Sequence, residues 1–299
     1  MMNDIKSLLF KTEALRVSPE DKLFWYTSGT IGPYYINAHF LYGSESKANE
    51  LLATIDDNKG NEYEMPGIVA EAVINNYKND DFYKNAIDII VSYIRDNISV
   101  REIDFISGGE RRDWFFSFIV ANLLDKPHIT VYKDLRVVYG SEKPKGTADK
   151  VREVTENTLA GRRCLHISDL VTEASSFERA WRPAIEKAGG GISWSLTVVD
   201  RMQGGRRLIE SLGSEHHALI EIDGGLFNTA LERGYVNQRQ HDMILAYIDD
   251  PKVSMKAFID AHPEFLKSTL EGGGKDAERA KLCLERGVYD NFRTENANK

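Results

Sequence analysis

The chain has 299 residues and a formal net charge of −8 at pH 7, because 46 Asp and Glu side chains outnumber 38 Lys and Arg. Hydrophobic residues make up 42% and charged residues 28%, proportions that are typical of folded globular proteins and exclude wholesale disorder or a collagen-like repeat. The acidic balance argues against a nucleic-acid-binding surface, which needs clustered Lys and Arg, although a small anionic ligand would need only a local basic pocket.

The first hundred residues, 1–100, contain helical pieces and aromatic clusters, with a polar break from Asp56 to Glu64 that is typical of a loop. From about residue 100, short apolar runs rich in β-branched and aromatic residues alternate with segments of helix length. The runs are Ile103 to Ile106, Ile129 to Tyr132, Cys164 to Ile167, Ser193 to Val199 and Leu219 to Ile222. This spacing predicts an α/β core over 101–225, a doubly wound parallel sheet covered by helices. The remainder, 226–299, reads as a helical C-terminal extension.

A strand-to-helix turn follows the first of these runs, with the sequence Ser107-Gly-Gly-Glu-Arg-Arg-Asp113. Paired glycines let the backbone approach an anion closely, and arginines donate charge-assisted hydrogen bonds, so a diphosphate group is one candidate ligand. The structural alternative is a tight turn with solvated arginines and with Asp113 in the first turn of the helix.

A second turn joins the run at 164–167 to the next helix through small hydroxylated residues at 172–176. The N-terminus of a helix can hold a phosphate, and Asp169 at the strand end can accept hydrogen bonds from ribose hydroxyls, which suits a phosphorylated sugar. The structural alternative is a capping box, since Ser175 and Glu178 have the S-x-x-E spacing of that motif.

A third strand ends at Asp200-Arg201 and is followed by two glycines. Ligands of open α/β sheets bind outside the carboxyl ends of the strands, which is where all three features fall. The polar stretch from Asp134 to Arg163 is long for an ordered loop, so it forms either a lid over this edge or a surface loop without a site.

Two cysteines, Cys164 and Cys283, are too few for a disulfide framework, and we therefore expect a cytoplasmic protein. The first ten residues lack the apolar run of a signal peptide, and no apolar stretch reaches the roughly 20 residues of a spanning helix. We expect neither nucleic acid nor a membrane as a partner. The histidines show no metal-ligand spacing, so no metal ligands are predicted, and His166 reads as a hydrogen-bonded core residue.

The segment from Phe24 to Ala38 carries a motif of another kind, with the sequence Phe-Trp-Tyr-Thr-Ser-Gly-Thr-Ile-Gly-Pro-Tyr-Tyr-Ile-Asn-Ala. It resembles the orotate phosphoribosyltransferase signature, in which an aromatic residue precedes Ser-Gly and paired aromatics precede Asn or Asp. The later motifs follow in the family's order. They are the Gly-Gly-Glu-Arg turn at 108–111, Tyr132-Lys133, the strand and loop at 164–176, and Asp200-Arg201.

This resemblance, which covers roughly residues 20–225, implies a type I phosphoribosyltransferase fold with an N-terminal hood within 1–100, a lid loop and a homodimer. The implied activity moves a ribose 5-phosphate group from phosphoribosyl diphosphate to a pyrimidine-type base, orotate, with release of diphosphate. Mg²⁺ would be carried by phosphoribosyl diphosphate. Positioning and charge stabilisation would supply most of the rate in chemistry of this type.

The resemblance also assigns roles to individual residues. Asp169 would hold the ribose hydroxyls, and Lys133 and Glu110 would lie beside the diphosphate as catalytic residues. The implied substrate-binding residues are Ser28 and Gly29 of the signature, Tyr34 and Tyr35 at the base, Gly108, Gly109 and Arg111 of the first turn, Thr172, Glu173, Ala174, Ser175 and Ser176 at the 5′-phosphate, and Arg201 at the carboxylate of the base.

The chain departs from the family pattern at several of these positions. Ser168 replaces the first of two acidic residues, and residues 173–175 replace Thr-Gly-Gly. The loop thus loses the glycines that adopt positive φ easily, and Glu173 must point outward if phosphate binds. Asp113 stands in place of a Gly. A second hypothesis therefore stays open, a catalytically silent protein of this fold that binds a nucleotide or phosphorylated sugar, with a purely structural interaction module as a third.

Overall fold

The computed structural model describes residues 4–139, 152–155 and 157–289. The strands are β1 Leu15–Val17, β2 Phe24–Trp25, β3 Ile31–Gly32, β4 Tyr34–Ile36, β5 Phe105–Gly109, β6 His128–Val131, β7 Val137–Tyr139, β8 Arg152–Glu153, β9 Arg163–Val171, β10 Gly191–Asp200 and β11 Glu215–Glu221. The helices are α1 Ile5–Lys11, α2 Glu45–Asp57, α3 Met65–Asn79, α4 Asp81–Asn97, α5 Trp114–Leu123, α6 Arg182–Lys187, α7 Gly205–Ser211, α8 Gly224–Glu232, α9 Gln238–Asp249, α10 Pro251–Ala261, α11 Pro263–Gly272 and α12 Gly274–Arg286. A π-helical segment, Phe177–Trp181, leads directly into α6.

The chain divides into two compact units. The first comprises Met1–Ala14 and Asn37–Ile222, and the second comprises Leu15–Ile36 and Asp223–Lys299. This grouping differs from the three predicted segments because a short stretch of the N-terminal hundred residues belongs with the C-terminal helices. No helix of the described chain combines the length and the apolar character needed to cross a membrane.

The first unit is built on a seven-stranded sheet with the strand order β11-β10-β9-β5-β6-β7-β8. The five strands from β11 to β6 are parallel to their neighbours, whereas β7 and β8 pair antiparallel at one edge. All five strands predicted from the apolar runs are present, with ends that differ by a few residues. The antiparallel edge strands were not predicted, because each has only two or three residues and carries no periodic signal.

Helices cover both faces of this sheet. The chain leaves β5 through α5 toward β6, and it leaves β9 through α6 toward β10 in the opposite direction across the sheet. Right-handed crossovers that run in opposite directions lie on opposite faces. The doubly wound arrangement is therefore confirmed, and the direction reverses between β5 and β9.

Each face has a distinct apolar interior. On one face, Phe105, Ile129 and Ile185 belong to a single buried cluster with the side chain of Trp181. On the other face, α5 is apolar on almost every side, with its aromatic residues Trp114 to Phe116 fully buried. A helix that is hydrophobic all round has to be covered all round, and α3 and α4 pack on its outer side.

The second unit combines two short antiparallel strand pairs, β1 with β4 and β2 with β3, with the helices α8 to α12. The ring of Trp25 stacks on that of Phe265, with 5.7 Å between ring centroids. The ring of Tyr34 packs against Phe227 and Tyr247 at 5.3 and 5.5 Å. The aromatic cluster noted in the sequence thus forms part of the apolar interior of this unit.

Candidate functional site

A cavity of about 390 Å³ opens at the carboxyl ends of β5 and β9. This is the point at which the strand order reverses, where open α/β sheets bind their ligands. The residues that line the cavity are 110–113, Lys133, His166, 168–177, Trp181, Ser195 and Ile209. All of them belong to the first unit.

The turn that follows β5, residues 108–113, is held by its own backbone and by close packing. A Cβ atom on Gly108 would lie 2.3 Å from Ser117 Oγ, and one on Gly109 would lie 2.3 Å from Trp181 Cε2. Both positions therefore require glycine for packing, whether or not a ligand approaches. Glu110 N donates to Val131 O at 2.8 Å, and the Glu110 carboxylate accepts a hydrogen bond from Lys133 N at 3.0 Å. Glu110 and Lys133, both predicted as catalytic, are thus neighbours at the cavity.

The two arginines of this turn have different partners. Arg111 lines the cavity, but its guanidinium forms an ion pair with the Asp56 carboxylate, whose other oxygen lies 2.8 Å from Lys59 Nζ. Lys59 and Arg111 both hold the pKa of Asp56 below its ordinary value. Arg112, the second arginine of the predicted turn, received no individual role from the resemblance, yet it lines the cavity and its positive charge acts on Asp169. A ligand anion would have to compete with Asp56 for Arg111, whereas Arg112 is exposed.

Asp169 stands at the cavity beside a second carboxyl group, that of Asp113. Asp169 N donates to Asp113 Oδ1 at 3.0 Å. Burial, followed by the neighbouring Asp169 charge, raises the pKa of Asp113 well above its ordinary value. Burial also raises the pKa of Asp169, while the positive charge of Arg112 opposes that shift. The family pattern has a second acidic residue where this chain has Ser168. In the structure Asp113, at the start of α5, places an acidic group beside Asp169 instead.

His166 lies on β9 at the floor of the cavity and is 1% exposed. Its Nδ1 is hydrogen-bonded to Ser107 Oγ at 2.8 Å, in agreement with the core histidine that the sequence suggested. Its Nε2 has no hydrogen-bond partner in the described part of the chain and lies 3.9 Å from Asp113 Oδ2. Burial lowers the pKa of His166 to about 3, so the imidazole is neutral at pH 7. The cavity floor therefore offers one neutral polar nitrogen.

The predicted phosphate loop, residues 172–176, forms one wall of the cavity. Ala174 adopts a φ of 57°, so the loop keeps a left-handed residue although its glycines are absent. Glu173 is exposed at the cavity rim, so its carboxylate can point to solvent as the phosphate hypothesis requires. The hydroxyls of Thr172, Ser175 and Ser176 make no hydrogen bond with any residue that the structure describes. The capping box between Ser175 and Glu178 is therefore not formed, and these hydroxyls are available to a ligand.

Arg201, predicted to meet the base, is not among the residues that line the cavity. It follows β10, and its backbone N donates to Val171 O at 3.0 Å. The structure thus gives no support to a joint role of Arg201 with Asp169, and its role stays a prediction.

The predicted residues of the signature lie in the second unit. Ser28 and Gly29 form a tight turn in which Gly29 has a φ of 82° and packs against the backbone of Cys283 in α12. Tyr34 is 5% exposed, whereas Tyr35 is half-buried. A packing role explains Gly29 and Tyr34 in full, so their binding roles stay predictions.

The predicted lid over 134–163 falls partly outside the described residues, which omit 140–151 and 156. Part of the described remainder is not a loop, because Val137–Tyr139 pairs with β6 as strand β7. Asp134 and Arg136, at the start of the stretch, are paired with each other at 2.6 Å. This part of the prediction is corrected, since the β-branched Val137 and Val138 favour an edge strand.

Metal ligands are sparse at the cavity. In residues 4–139, 152–155 and 157–289 there is no group of three or more His, Cys, Asp or Glu side chains that could hold a metal ion. A cation that arrives with a phosphate ligand brings oxygen ligands of its own. Carboxylates at the cavity, such as those of Glu110 and Asp169, could add one or two more.

Comparison with known proteins found no matching family model. In sequence, the chain is 25% identical over 189 residues to an adenine phosphoribosyltransferase of Agrobacterium fabrum, a match that covers 59% of the chain and 97% of that protein. It is 28% identical over 93 residues to an orotate phosphoribosyltransferase of Saccharolobus solfataricus, covering 31% of the chain and 47% of that protein.

Comparison with solved structures matches the fold to the UMP synthase of Leishmania donovani, with a TM-score of 0.50 and 15% sequence identity. That match covers 82% of this chain but only 41% of the UMP synthase chain. The strand order, the cavity at the reversal point and these matches agree with the resemblance seen in the sequence. The fold is of the type I phosphoribosyltransferase kind, and the sequence is similar to adenine and orotate phosphoribosyltransferases at 25 to 28% identity.

Proposed function

We propose that this protein is a phosphoribosyltransferase that takes phosphoribosyl diphosphate as its donor and orotate as its acceptor. The observation that carries the proposal is the cavity at the reversal point, which brings Glu110, Lys133, Asp169 and the loop at 172–176 together. These groups come from three separate stretches of the chain, and each has a polar or charged side chain suited to one part of the donor.

The 5′-phosphate would lie against the loop at 172–176, where three hydroxyls have no partner among the described residues. Asp169, at the edge of the same loop, would accept hydrogen bonds from the ribose hydroxyls. The diphosphate would extend toward Lys133, whose ammonium offsets its negative charge. In such an arrangement the rate comes from positioning the two reactants and from stabilising the charge that separates as diphosphate leaves.

Mg²⁺ fits this arrangement as an ion that the donor carries. The cavity has oxygen donors in Glu110 and Asp169 but lacks a cage of three ligands in the described chain. Mg²⁺ prefers sites in which one or two carboxylates add to substrate phosphates. When bound, the ion would neutralise charge on the diphosphate. The residues of this chain would orient the donor and keep its reactive carbon facing the acceptor.

The direct test is to incubate the protein with phosphoribosyl diphosphate, Mg²⁺ and orotate and to measure the release of diphosphate and the formation of nucleotide. Adenine and other bases belong in the same assay, because the sequence matches include adenine phosphoribosyltransferases. Turnover with orotate supports the proposal in full, and turnover with another base corrects the acceptor. No turnover with any base contradicts the proposal.

Two variants test the site itself. Asp169→Asn and Lys133→Ala should abolish turnover while leaving the thermal unfolding midpoint close to that of the unaltered protein. Asp96→Asn and Lys78→Ala are matched controls, because both residues are exposed on helices and neither lines the cavity. Unchanged rates in the first pair would place the reaction elsewhere.

The second candidate is a silent binding protein of the same fold. Its support is the pairing of Arg111 with Asp56 and the altered loop at 173–175, both of which weaken the anion site. Calorimetry that detects phosphoribosyl diphosphate or a nucleotide, combined with no turnover, would favour this candidate. Absence of binding by either class of ligand would exclude it.

The homodimer and the cytoplasmic location stay predictions. Light scattering coupled to size exclusion measures the mass in solution, for which twice the chain mass of 33.8 kDa is expected. Cell fractionation tests the location. Neither outcome changes the assignment of the cavity.

A further inference from the structure

The residue that starts α5 uses its side chain in an unusual way. Asp113 occupies the N-cap position, where a carboxylate ordinarily accepts a hydrogen bond from its own helix, but it makes no such bond. Its Oδ2 accepts instead from Gly109 N and its Oδ1 accepts from Asp169 N, both at 3.0 Å. The carboxylate thus joins two stretches of backbone that belong to different strands.

These two stretches lie just beyond the point where the strands separate. β5 and β9 pair from Phe105 with Cys164 to Ser107 with His166, and no further. Past that point β5 pairs with β6 and β9 pairs with β10. The gap between the diverging ends is the cavity. Within the described chain, Asp113 is the side chain that spans this gap by hydrogen-bonding to the backbone of both ends.

We propose that Asp113 is a positioning residue that sets the separation between the turn at 108–112 and the end of β9, so that Glu110 and Asp169 address one bound phosphoribosyl diphosphate. This inference rests on the proposed function and adds a residue to it. The resemblance gives no such role to this position, where the family pattern has Gly, which has no side chain to span the gap.

The surroundings of Asp113 support a role beyond simple stability. Its side chain is buried next to the Asp169 carboxyl group, a contact that is costly for two acidic groups. The two backbone N–H donors offset part of that cost, and the imidazole of His166 lies 3.9 Å from the same carboxylate. An amide would avoid the repulsion but has a single acceptor oxygen, so the two N–H donors favour a carboxyl group, with its two acceptor oxygens, at this place.

Asp113→Asn tests the role directly. An amide has one acceptor oxygen, so its NH2 group would face either Gly109 N or Asp169 N and release one of the two ends. We expect the affinity for phosphoribosyl diphosphate to fall about 10-fold to 100-fold, in line with the loss of a hydrogen bond to a charged group. Binding of inorganic phosphate, which needs only the loop at 172–176, should change less than about twofold, since no bond to Asp113 is involved. A purely structural role would weaken both ligands together.

Two further variants provide a replacement for Asp113→Asn and a matched control. Asp113→Glu retains the carboxyl group but lengthens the side chain by one methylene, so it should show the same selective loss if Asp113→Asn does not fold. Ser117→Ala is the matched control, because Ser117 Oγ is a buried polar group of the same helix that bonds to His128 Nε2 at 2.9 Å. Ser117→Ala should lower the free energy of unfolding, and it should change the affinities for phosphoribosyl diphosphate and for inorganic phosphate by the same factor.

Amide hydrogen exchange gives a readout that does not depend on activity. Gly109 N and Asp169 N should be protected in the unaltered protein, and at least one should lose protection in Asp113→Asn but not in Ser117→Ala. Equal affinity of Asp113→Asn and the unaltered protein for phosphoribosyl diphosphate overturns the positioning role. If the unaltered protein binds neither phosphate nor phosphoribosyl diphosphate, the proposed function fails and the role falls with it, while the exchange data still report whether the carboxylate joins the two ends.

Discussion

The two turns that meet at the cavity satisfy their polar groups in different ways. The turn at 108–113 is tied to its surroundings by Gly109 N, Glu110 N and the Glu110 carboxylate, and its glycines pack against side chains. The loop at 172–176 is tied through its backbone, with Gly205 N donating to Thr172 O at 2.9 Å, while its hydroxyls have no described partner. The first turn is thus a preformed support, and the second presents the groups that a phosphate can use.

This difference separates stability from binding. Changes to the two packed glycines, Gly108 and Gly109, should act mainly on folding, because their contacts are made without a ligand. Changes in the hydroxyls of the loop should act mainly on affinity, because those groups contact little in the ligand-free protein. Variants of the two segments test whether stability and affinity depend on different parts of the site.

The largest effect is expected for Gly109→Ala. The added Cβ would lie 2.3 Å from Trp181, an aromatic side chain inside the core, so the core must shift. Such overpacking lowers the free energy of unfolding by about 3 kcal/mol, measured by urea denaturation. Gly67→Ala is the control, because nothing lies within 4 Å of its added Cβ and Ala favours a helix by about 0.5 to 1 kcal/mol. Equal behaviour of the two variants would show that the turn is not preformed.

Acid pH should lower the free energy of unfolding through buried histidines that lie close to the turn at 108–113 and to α5. Burial lowers the pKa values of His39, His128 and His166 from 6.5 to about 3, and all three lie beside the turn or pack near α5. Between those values the unfolded chain binds more protons, so each histidine lowers the free energy of unfolding by about 1.4 kcal/mol for each pH unit below 6.5. The raised pKa values of the two buried carboxyl groups act in the opposite direction, since the folded state holds their protons more tightly.

The contribution of one histidine can be isolated by His128→Gln, which removes a titrating group that bonds to Ser117 and Thr130. Urea denaturation at pH 6, 5 and 4 should give a pH slope that is smaller by about 1.4 kcal/mol per unit in this variant, because this window lies between the two pKa values. An unchanged slope would mean that His128 is protonated in the folded protein as readily as in the unfolded chain.

A smaller effect, on affinity alone, is expected for Ser175→Ala combined with Ser176→Ala. Both side chains are exposed, so the free energy of unfolding should change by less than about 0.5 kcal/mol. The affinity for inorganic phosphate should fall about 10-fold, which corresponds to one or two hydrogen bonds to a charged group. Unchanged affinity in calorimetry would remove the loop from the site.

The smallest effect is an increase in affinity. Asp56→Asn frees Arg111 and Lys59, which both pair with Asp56, and should strengthen diphosphate binding about threefold, as expected for the loss of a competing exposed ion pair. Asp57→Asn is the control, because it makes the same change in charge at the next residue. Weaker binding in Asp56→Asn alone would show that Asp56 orients Arg111 toward the ligand instead of competing for it.

Much of the fold follows from local sequence. Apolar runs such as Cys164 to Ile167 predict the parallel strands, because a strand buried on both faces is apolar throughout. The second unit could not be predicted, since residues 15–36 join the C-terminal helices through contacts more than 200 positions apart in the chain. Its strands have two or three residues each and leave no periodic pattern.

The site was predictable in part for similar reasons. Residues near the carboxyl end of a strand, such as Glu110 just after β5 and Asp169 near the end of β9, could be placed at the cavity from topology alone. Asp113 could not, because its position reads as a helix start and only the structure shows that its carboxylate turns back to two strands. His166 reads as core, and only the direction of its Nε2 places it at the cavity floor.

The contact between Gly109 and Trp181 has a consequence for how this sequence can vary. The indole lies where any side chain at position 109 would begin, so the two positions form a single steric unit although 72 residues separate them in the chain. A larger residue at 109 is acceptable only with a smaller one at 181. We expect these positions to change together among relatives, and Gly109→Ala to be rescued by Trp181→Leu.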